Sequence, residues 1–163
     1  MSEHNDGHTA EPRDPAHVAK ETGVVLHAAV TEDKLEDLVP SARAATGTDA
    51  MGAVVTFEGT VRDHDGGQLV DALTYTAHPD VDAEMQRVVG EVISVHPEVR
   101  AWVAHRVGPL QIGEMAFLVV VAAAHRGPAF AALAEIADRV KSEVPIWKEQ
   151  AMSDGSTEWV GLQ

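Results

Sequence analysis

The chain has 163 residues, 45% of them hydrophobic, enough for one packed domain, and it contains no cysteine. That composition excludes disulfides, thiolate metal ligands and a persulfide carried on the protein itself. A formal net charge of -14 argues against non-specific attraction to nucleic acid or to an anionic membrane, so neither is expected as a partner.

Residues 1–22 are rich in His, Pro, Asp and Glu and almost free of large apolar side chains, which predicts a disordered acidic tail ahead of a domain at 23–163. His4, His8 and His17 within it match no compact metal site. The polar start lacks the apolar region of a signal peptide. No apolar run in the chain approaches the roughly 20 residues that span a bilayer, so a cytoplasmic location is expected.

Residues 24–30 read as a strand and 32–46 as a helix, with Pro40 expected to kink or restart it. The segment 52–62 is β-branched and apolar, followed by the turn chemistry of DHDGG at 63–67. Residues 69–77 alternate, with Leu69, Asp71, Leu73 and Tyr75 on one side, and read as the antiparallel partner of 52–62. Asp80 is placed to cap a helix running to about His96, with Met85, Val88, Val89, Val92 and Ile93 at helical spacing.

Residues 99–107 alternate again, 108–113 read as a loop, and 115–124 form an unbroken apolar run suited to a central strand. Gly127-Pro128 opens a third helix, whose buried stripe is predicted as Phe130, Leu133, Ala134, Ala137 and Val140, and which Pro145 limits. Residues 158–161 supply a last strand. The order β-α-β-β-α-β-β-α-β, with two hairpins, indicates a single α+β domain with a mostly antiparallel sheet.

Basic residues stand at the ends of these elements, where sites are usually built. Arg62 leaves the 52–62 strand, His125 and Arg126 lie between a strand and a helix N-terminus, and Lys141 and Lys148 flank the segment around Pro145. Helix N-terminal amides beside a guanidinium and an imidazole suit a phosphate. Each residue also has a plainer reading: Lys141 as a partner of the helix dipole, Arg62 as an ion pair with Asp63 or Asp65, His125-Arg126 as a surface pair. His105 shares an inward alternation and reads as a hydrogen-bonded structural histidine. No dinucleotide, P-loop, serine-hydrolase or zinc motif is present. From residues alone, the chain is an acidic α+β domain with an anion site.

Four segments, GAVVTFEGTVRDHD (52–65), HRVGPLQIGE (105–114), AAHRGPAF (123–130) and KSEVPIWKE (141–149), resemble in order and spacing the molybdopterin synthase catalytic (large) subunit family. The resemblance covers roughly residues 24–161. It implies an α/β-hammerhead-like fold with an additional mostly antiparallel sheet. It also implies sulfurtransferase activity in molybdenum cofactor biosynthesis, with no cofactor or metal of its own. The implied substrate is cyclic pyranopterin monophosphate. The implied partner is a small ubiquitin-like sulfur carrier with a C-terminal Gly-Gly thiocarboxylate, bound at each end of a homodimer to make a heterotetramer. By motif, substrate contacts fall on Thr60, Val61, Arg62, His125 and Arg126, and catalytic and substrate-binding roles on Lys141 and Lys148. One departure is Glu149-Gln150, where many relatives carry a further basic residue and then Glu. The alternative reading is a non-catalytic protein that binds a phosphorylated metabolite or a partner's C-terminal tail.

Overall fold

The unbroken apolar run becomes the central strand of a four-stranded sheet, which is why it has no polar face. The computed structural model describes residues 20–161. In chain order the elements are β1 (Val24–Thr31), α1 (Leu35–Thr46), β2 (Ala53–Thr60), β3 (His64–Asp65), β4 (Gln68–Ala77) and α2 (Val81–Val95). They continue with β5 (Val99–Arg106), β6 (Gly108–Leu110), β7 (Met115–Ala123), α3 (Arg126–Glu143), β8 (Ile146–Met152) and β9 (Thr157–Gly161).

The first sheet has the order β1-β5-β7-β2; β1 runs parallel to β5, and the β5–β7 and β7–β2 pairs are antiparallel. All nine residues of β7 are buried. Phe117, Val119, Val121 and Ala123 pack with the apolar faces of α2 and α3, while Leu118 and Val120 pack with Leu35 and Ala42 of α1 on the opposite side. Side chains alternate across a strand, so a strand covered on both faces is apolar throughout. No helix among the described residues is long and apolar enough to cross a membrane.

The second sheet is built on β4, which pairs with β3 and β6 along one edge and with β8 along the other; β9 adds beyond β8. A small separate core of Val61, Leu73, Leu110 and Ala116 joins the two sheets. The mixed helix and strand content and the mostly antiparallel pairing agree with the α+β expectation.

Several local expectations change. The predicted hairpin between 52–62 and 69–77 does not form: β2 pairs with β7, residue Ala53 opposite Ala123 through Thr60 opposite Met115. The chain leaves that sheet at Val61, whose N–H donates to Glu114 O at 2.9 Å and whose carbonyl accepts from Gly113 N at 2.7 Å. The DHDGG turn does close a hairpin, but a short one between β3 and β4, with Gly66 and Gly67 at φ 56 and 80. Two consecutive positive φ values favour glycine, which has no Cβ to clash, and match the twist of the flanking strands.

In β4 the register shifts between Val70 and Ala72, so Val70 and Leu73 are buried and Leu69 is exposed, breaking the simple alternation. Residues 108–110, expected as loop, form β6 against β4. β8, which no simple apolar alternation announces, is a full strand between β4 and β9.

The α2 stripe is as expected, with Met85, Val88, Val89, Val92 and Ile93 all buried. Asp80 sits at the N-cap position without a side-chain cap bond. The first helix begins at Leu35 and continues through Pro40 as one element.

In α3 the buried face is Ala129, Ala132, Ile136 and Val140, with Leu133 and Ala137 packed at its margin; Phe130 is 55% exposed and Ala134 also faces out. Alanines at the contact let the helix axis approach the sheet closely, a position a phenylalanine would prop open.

The expected tail falls mostly outside the described residues. Within it, Glu21 accepts from Thr48 Oγ1 at 2.8 Å through its carboxylate and from Arg100 Nη1 at 2.7 Å through its backbone carbonyl.

Candidate functional site

Where β2 leaves the first sheet, it passes over β4 and β8 of the second, and the end of α3 closes the gap. The result is a cavity of about 280 Å³, lined by Thr60, Val61 and Arg62 from the end of β2, Tyr75 from β4, Lys141 from α3, and Lys148 and Gln150 from β8, among others. β8 delivers its two residues because side chains two apart share a face: Lys148 stands opposite Tyr75 and Gln150 opposite Leu73. Glu149, at the position departing from the family pattern, therefore belongs to the other face of the strand, with Trp147, and its charge is directed away from the pocket.

A narrower cavity of about 110 Å³ continues from the first, sharing Thr60, Tyr75, Lys141 and Lys148 with it and reaching Gly59, His105 and Phe117. Phe117 packs closely on Gly59: its Cβ would lie 3.2 Å from a Cβ added at that glycine, so a side chain there would have to displace it by a few tenths of an ångström.

The larger cavity holds Arg62, Lys141 and Lys148 against one carboxylate, Asp65. A chain of net charge -14 thus presents a locally cationic recess, suited to an anionic ligand drawn in against the overall field. Lys148 Nζ lies 3.5 Å from Asp65 Oδ2, and Arg62 Nη2 lies 3.4 Å from Asp65 Oδ1. Gln150, 1% exposed, donates from Nε2 to Asp65 Oδ2 at 2.7 Å. That hydrogen bond, with the Lys148 and Arg62 charges, holds the Asp65 carboxyl below its ordinary range despite partial burial. Lys141 has no carboxylate partner among the described residues.

His105 is 3% exposed. Its Nδ1 lies 2.8 Å from Arg106 O, so that nitrogen carries the proton and Nε2 does not. Burial, aided by the Lys141 charge, lowers its pKa to about 4, so the ring is neutral near pH 7. Tyr75 meets this ring edge-on at 4.7 Å, and burial raises its phenol above the usual range.

Of the residues singled out in the sequence, the fold brings Thr60, Val61, Arg62, Lys141 and Lys148 to one cavity. Val61 is 4% exposed with both backbone groups engaged, so it contributes an apolar wall. His125 and Arg126 are exposed at the opposite end of α3. Fifteen residues of helix separate Arg126 from Lys141, about 22 Å at the usual rise. The plainer reading of Arg62 also holds in part, since it does pair with Asp65. Sequence reasoning missed Tyr75, Asp65 and Gln150 as cavity residues. His105, read as structural, is hydrogen-bonded as expected but also borders the lysines. The signal available for Asp65 was its place in the DHDGG turn; for Gln150 it was the i, i+2 relation to Lys148.

A family model described as MoaE protein matches residues 27–143. The molybdopterin synthase catalytic subunit of Pyrococcus abyssi is 40% identical over 124 residues, spanning 75% of this chain and 84% of that protein. The molybdopterin synthase catalytic subunit 1 of Mycobacterium tuberculosis is 41% identical over 119 residues, 72% of this chain and 80% of its own. Among solved structures, molybdopterin synthase from Staphylococcus aureus superposes with a TM-score of 0.72 at 32% identity, covering 83% of this chain and 96% of that one. A Helicobacter pylori complex of subunits 1 and 2 of molybdopterin-converting factor shares the fold, with a TM-score of 0.62 at 18% identity over 86% of this chain and 89% of its own. With the matched model spanning most of the chain and relatives this similar along most of their length, the chain belongs to the MoaE protein family.

Proposed function

We propose that this chain is the catalytic subunit of a molybdopterin synthase, transferring sulfur from the thiocarboxylated C-terminus of a small carrier protein to cyclic pyranopterin monophosphate. The observation that carries the reading is the convergence of Arg62, Lys141 and Lys148, from three separate segments, on one cavity in an otherwise acidic protein without cysteine. A protein with no thiol of its own must receive sulfur on a partner.

The thiocarboxylate sulfur attacks a side-chain carbon of the precursor, forming a C–S bond with loss of one water, and a second water hydrolyses the resulting thioester, so that the sulfur stays on the pterin and the carrier leaves as its carboxylate. Two carriers supply the two sulfurs of the dithiolene. Lys141, which has no carboxylate partner among the described residues, acts as general acid or base, an effect typically worth about 10²–10⁴-fold. Lys148 assists proton transfer or holds the carrier's terminal carboxylate, and Arg62 holds the phosphate. The family resemblance also assigns phosphate contacts to His125 and Arg126. These lie too far along α3 to reach the same cavity, so in the homodimer this reading implies they serve the pocket of the other protomer.

The test is reconstitution of the protein with thiocarboxylated carrier and the pterin precursor, following dithiolene product by oxidation to its fluorescent derivative. Product that depends on this chain supports the assignment. Its absence beside an active control synthase points instead to a protein that binds a phosphorylated metabolite or a C-terminal tail without turnover.

A further inference from the structure

Among the described residues Asp65 is the one carboxylate lining the cationic cavity, and three groups converge on it. Its Oδ2 accepts from Gln150 Nε2 at 2.7 Å and faces Lys148 Nζ at 3.5 Å, while Oδ1 faces Arg62 Nη2 at 3.4 Å. The neighbouring ionisable side chains on its own hairpin, Asp63 and His64, pair with each other at 2.9 Å instead.

Gln150 is the informative partner. It is 1% exposed, and its Oε1 has no hydrogen-bond partner among the described residues. An amide buried with an unsatisfied oxygen carries a desolvation cost. The arrangement makes sense only if the donor end is required where it points. Flipping the amide would set its oxygen against the Asp65 carboxylate, so Asp65 determines which way Gln150 lies. A carboxylate at both positions would place two acids at hydrogen-bond distance, where they cannot both ionise. A neutral group at both would leave Lys148 beside Arg62 and Lys141 with no counter-ion. The geometry therefore admits one negative charge across positions 65 and 150.

We propose that Asp65, aimed by Gln150, is a positioning residue that holds the Lys148 side chain in place within the cavity. The assignment deepens the sulfur-transfer reading and rests on it for its kinetic consequence alone. Lys148 reaches the chemistry; Asp65 acts through it.

The charge can be moved without changing the number of heavy atoms much, and this makes the test. Wild type, Asp65→Asn, Gln150→Glu and the double variant Asp65→Asn/Gln150→Glu are labelled with acetic anhydride at pH 8. The rate at Lys148 is read by peptide mass spectrometry, with exposed Lys34 as internal reference. Without its carboxylate partner the Lys148 side chain is no longer tethered inside the cavity and meets the reagent more often, so in Asp65→Asn it reacts about fivefold faster relative to Lys34. The double variant returns to within about twofold of wild type, because the charge is restored on the neighbouring strand. In the turnover assay, Asp65→Asn lowers kcat with little change in KM for the pterin precursor, and the double variant regains it.

An unchanged Lys148 rate in a folded Asp65→Asn protein overturns the proposal, as does a double variant no closer to wild type than the single one. If Asp65→Asn fails to fold, Gln150→Leu, which removes the donor but keeps the carboxylate, decides: faster labelling of Lys148 supports the proposal and an unaltered rate overturns it. If wild type makes no dithiolene, the sulfur-transfer reading falls, while the labelling pattern still decides the role of Asp65.

Discussion

Removing the Lys141 side chain should separate catalysis from stability more cleanly than any other change in the cavity. Lys141 is exposed in the last turn of α3 and has no carboxylate partner among the described residues. Lys141→Ala forfeits a favourable charge near the helix C-terminus, worth about 0.3–1 kcal/mol. It regains a few tenths of a kcal/mol from alanine's helix preference. The net is under about 1 kcal/mol, which for a chain of this size moves Tm by no more than about 2–4 °C. If Lys141 transfers a proton in the reaction, the same change removes about 10²–10⁴-fold in rate, or roughly 3–5 kcal/mol of barrier. Thermal melting and dithiolene formation, measured on one preparation with carrier binding as a control, decide the matter. Turnover within about threefold of wild type would remove Lys141 from the chemistry. A loss of activity accompanied by a large fall in Tm or by loss of carrier binding would refute that separation of catalysis from stability.

The phase of α3 can be checked by a pair of truncations. Ile136→Ala should cost about 2–5 kcal/mol in denaturant unfolding, while Phe130→Ala stays within about 0.5 kcal/mol, the reverse of what helical spacing alone suggests. His105 binds a proton near 6.5 when unfolded and at about 4 when folded, so the unfolded state holds more protons between those values. Stability therefore rises with pH across that window, by something on the order of 3 kcal/mol, and is lost as pH falls through it. His105→Phe should flatten the slope between pH 4 and 6.5, and an unchanged slope would show that other groups produce it. Gly67, at φ 80 in the hairpin that carries Asp65, should tolerate no side chain freely: Gly67→Ala is expected to lose about 1–2 kcal/mol by calorimetry or denaturant unfolding.

The elements were largely legible because each follows from local periodicity. The unbroken apolar run of β7 required a strand covered on both faces, and the 3.6-residue spacing in α2 identified its buried side. The pocket residues were legible only in part. Arg62, Lys141 and Lys148 stood out as basic residues at element ends, whereas Tyr75 and Gln150 sit inside strands whose burial depends on neighbours far away in the chain. β8 itself escaped notice because its inward residues after Ile146 include Lys148 and Gln150, polar side chains that a cavity requires and an apolar pattern hides.

What the sequence alone determined is the three helices, the longer strands apart from β8, the missing thiol, and a group of cations at the ends of those elements. What only the tertiary structure decided is pairing and company. β2 pairs with β7 rather than with the strand that follows its turn, since the chain must leave the sheet at Val61 to complete the small core with Leu73, Leu110 and Ala116. Local propensity acts over a few residues and cannot register that exchange. By the same crossing, Arg62 comes to face Asp65 beside Lys148, and His125-Arg126 is left at the far end of α3 from Lys141. Contacts of that kind follow from which sheet each strand joins, and that choice is made by burial summed over the whole domain.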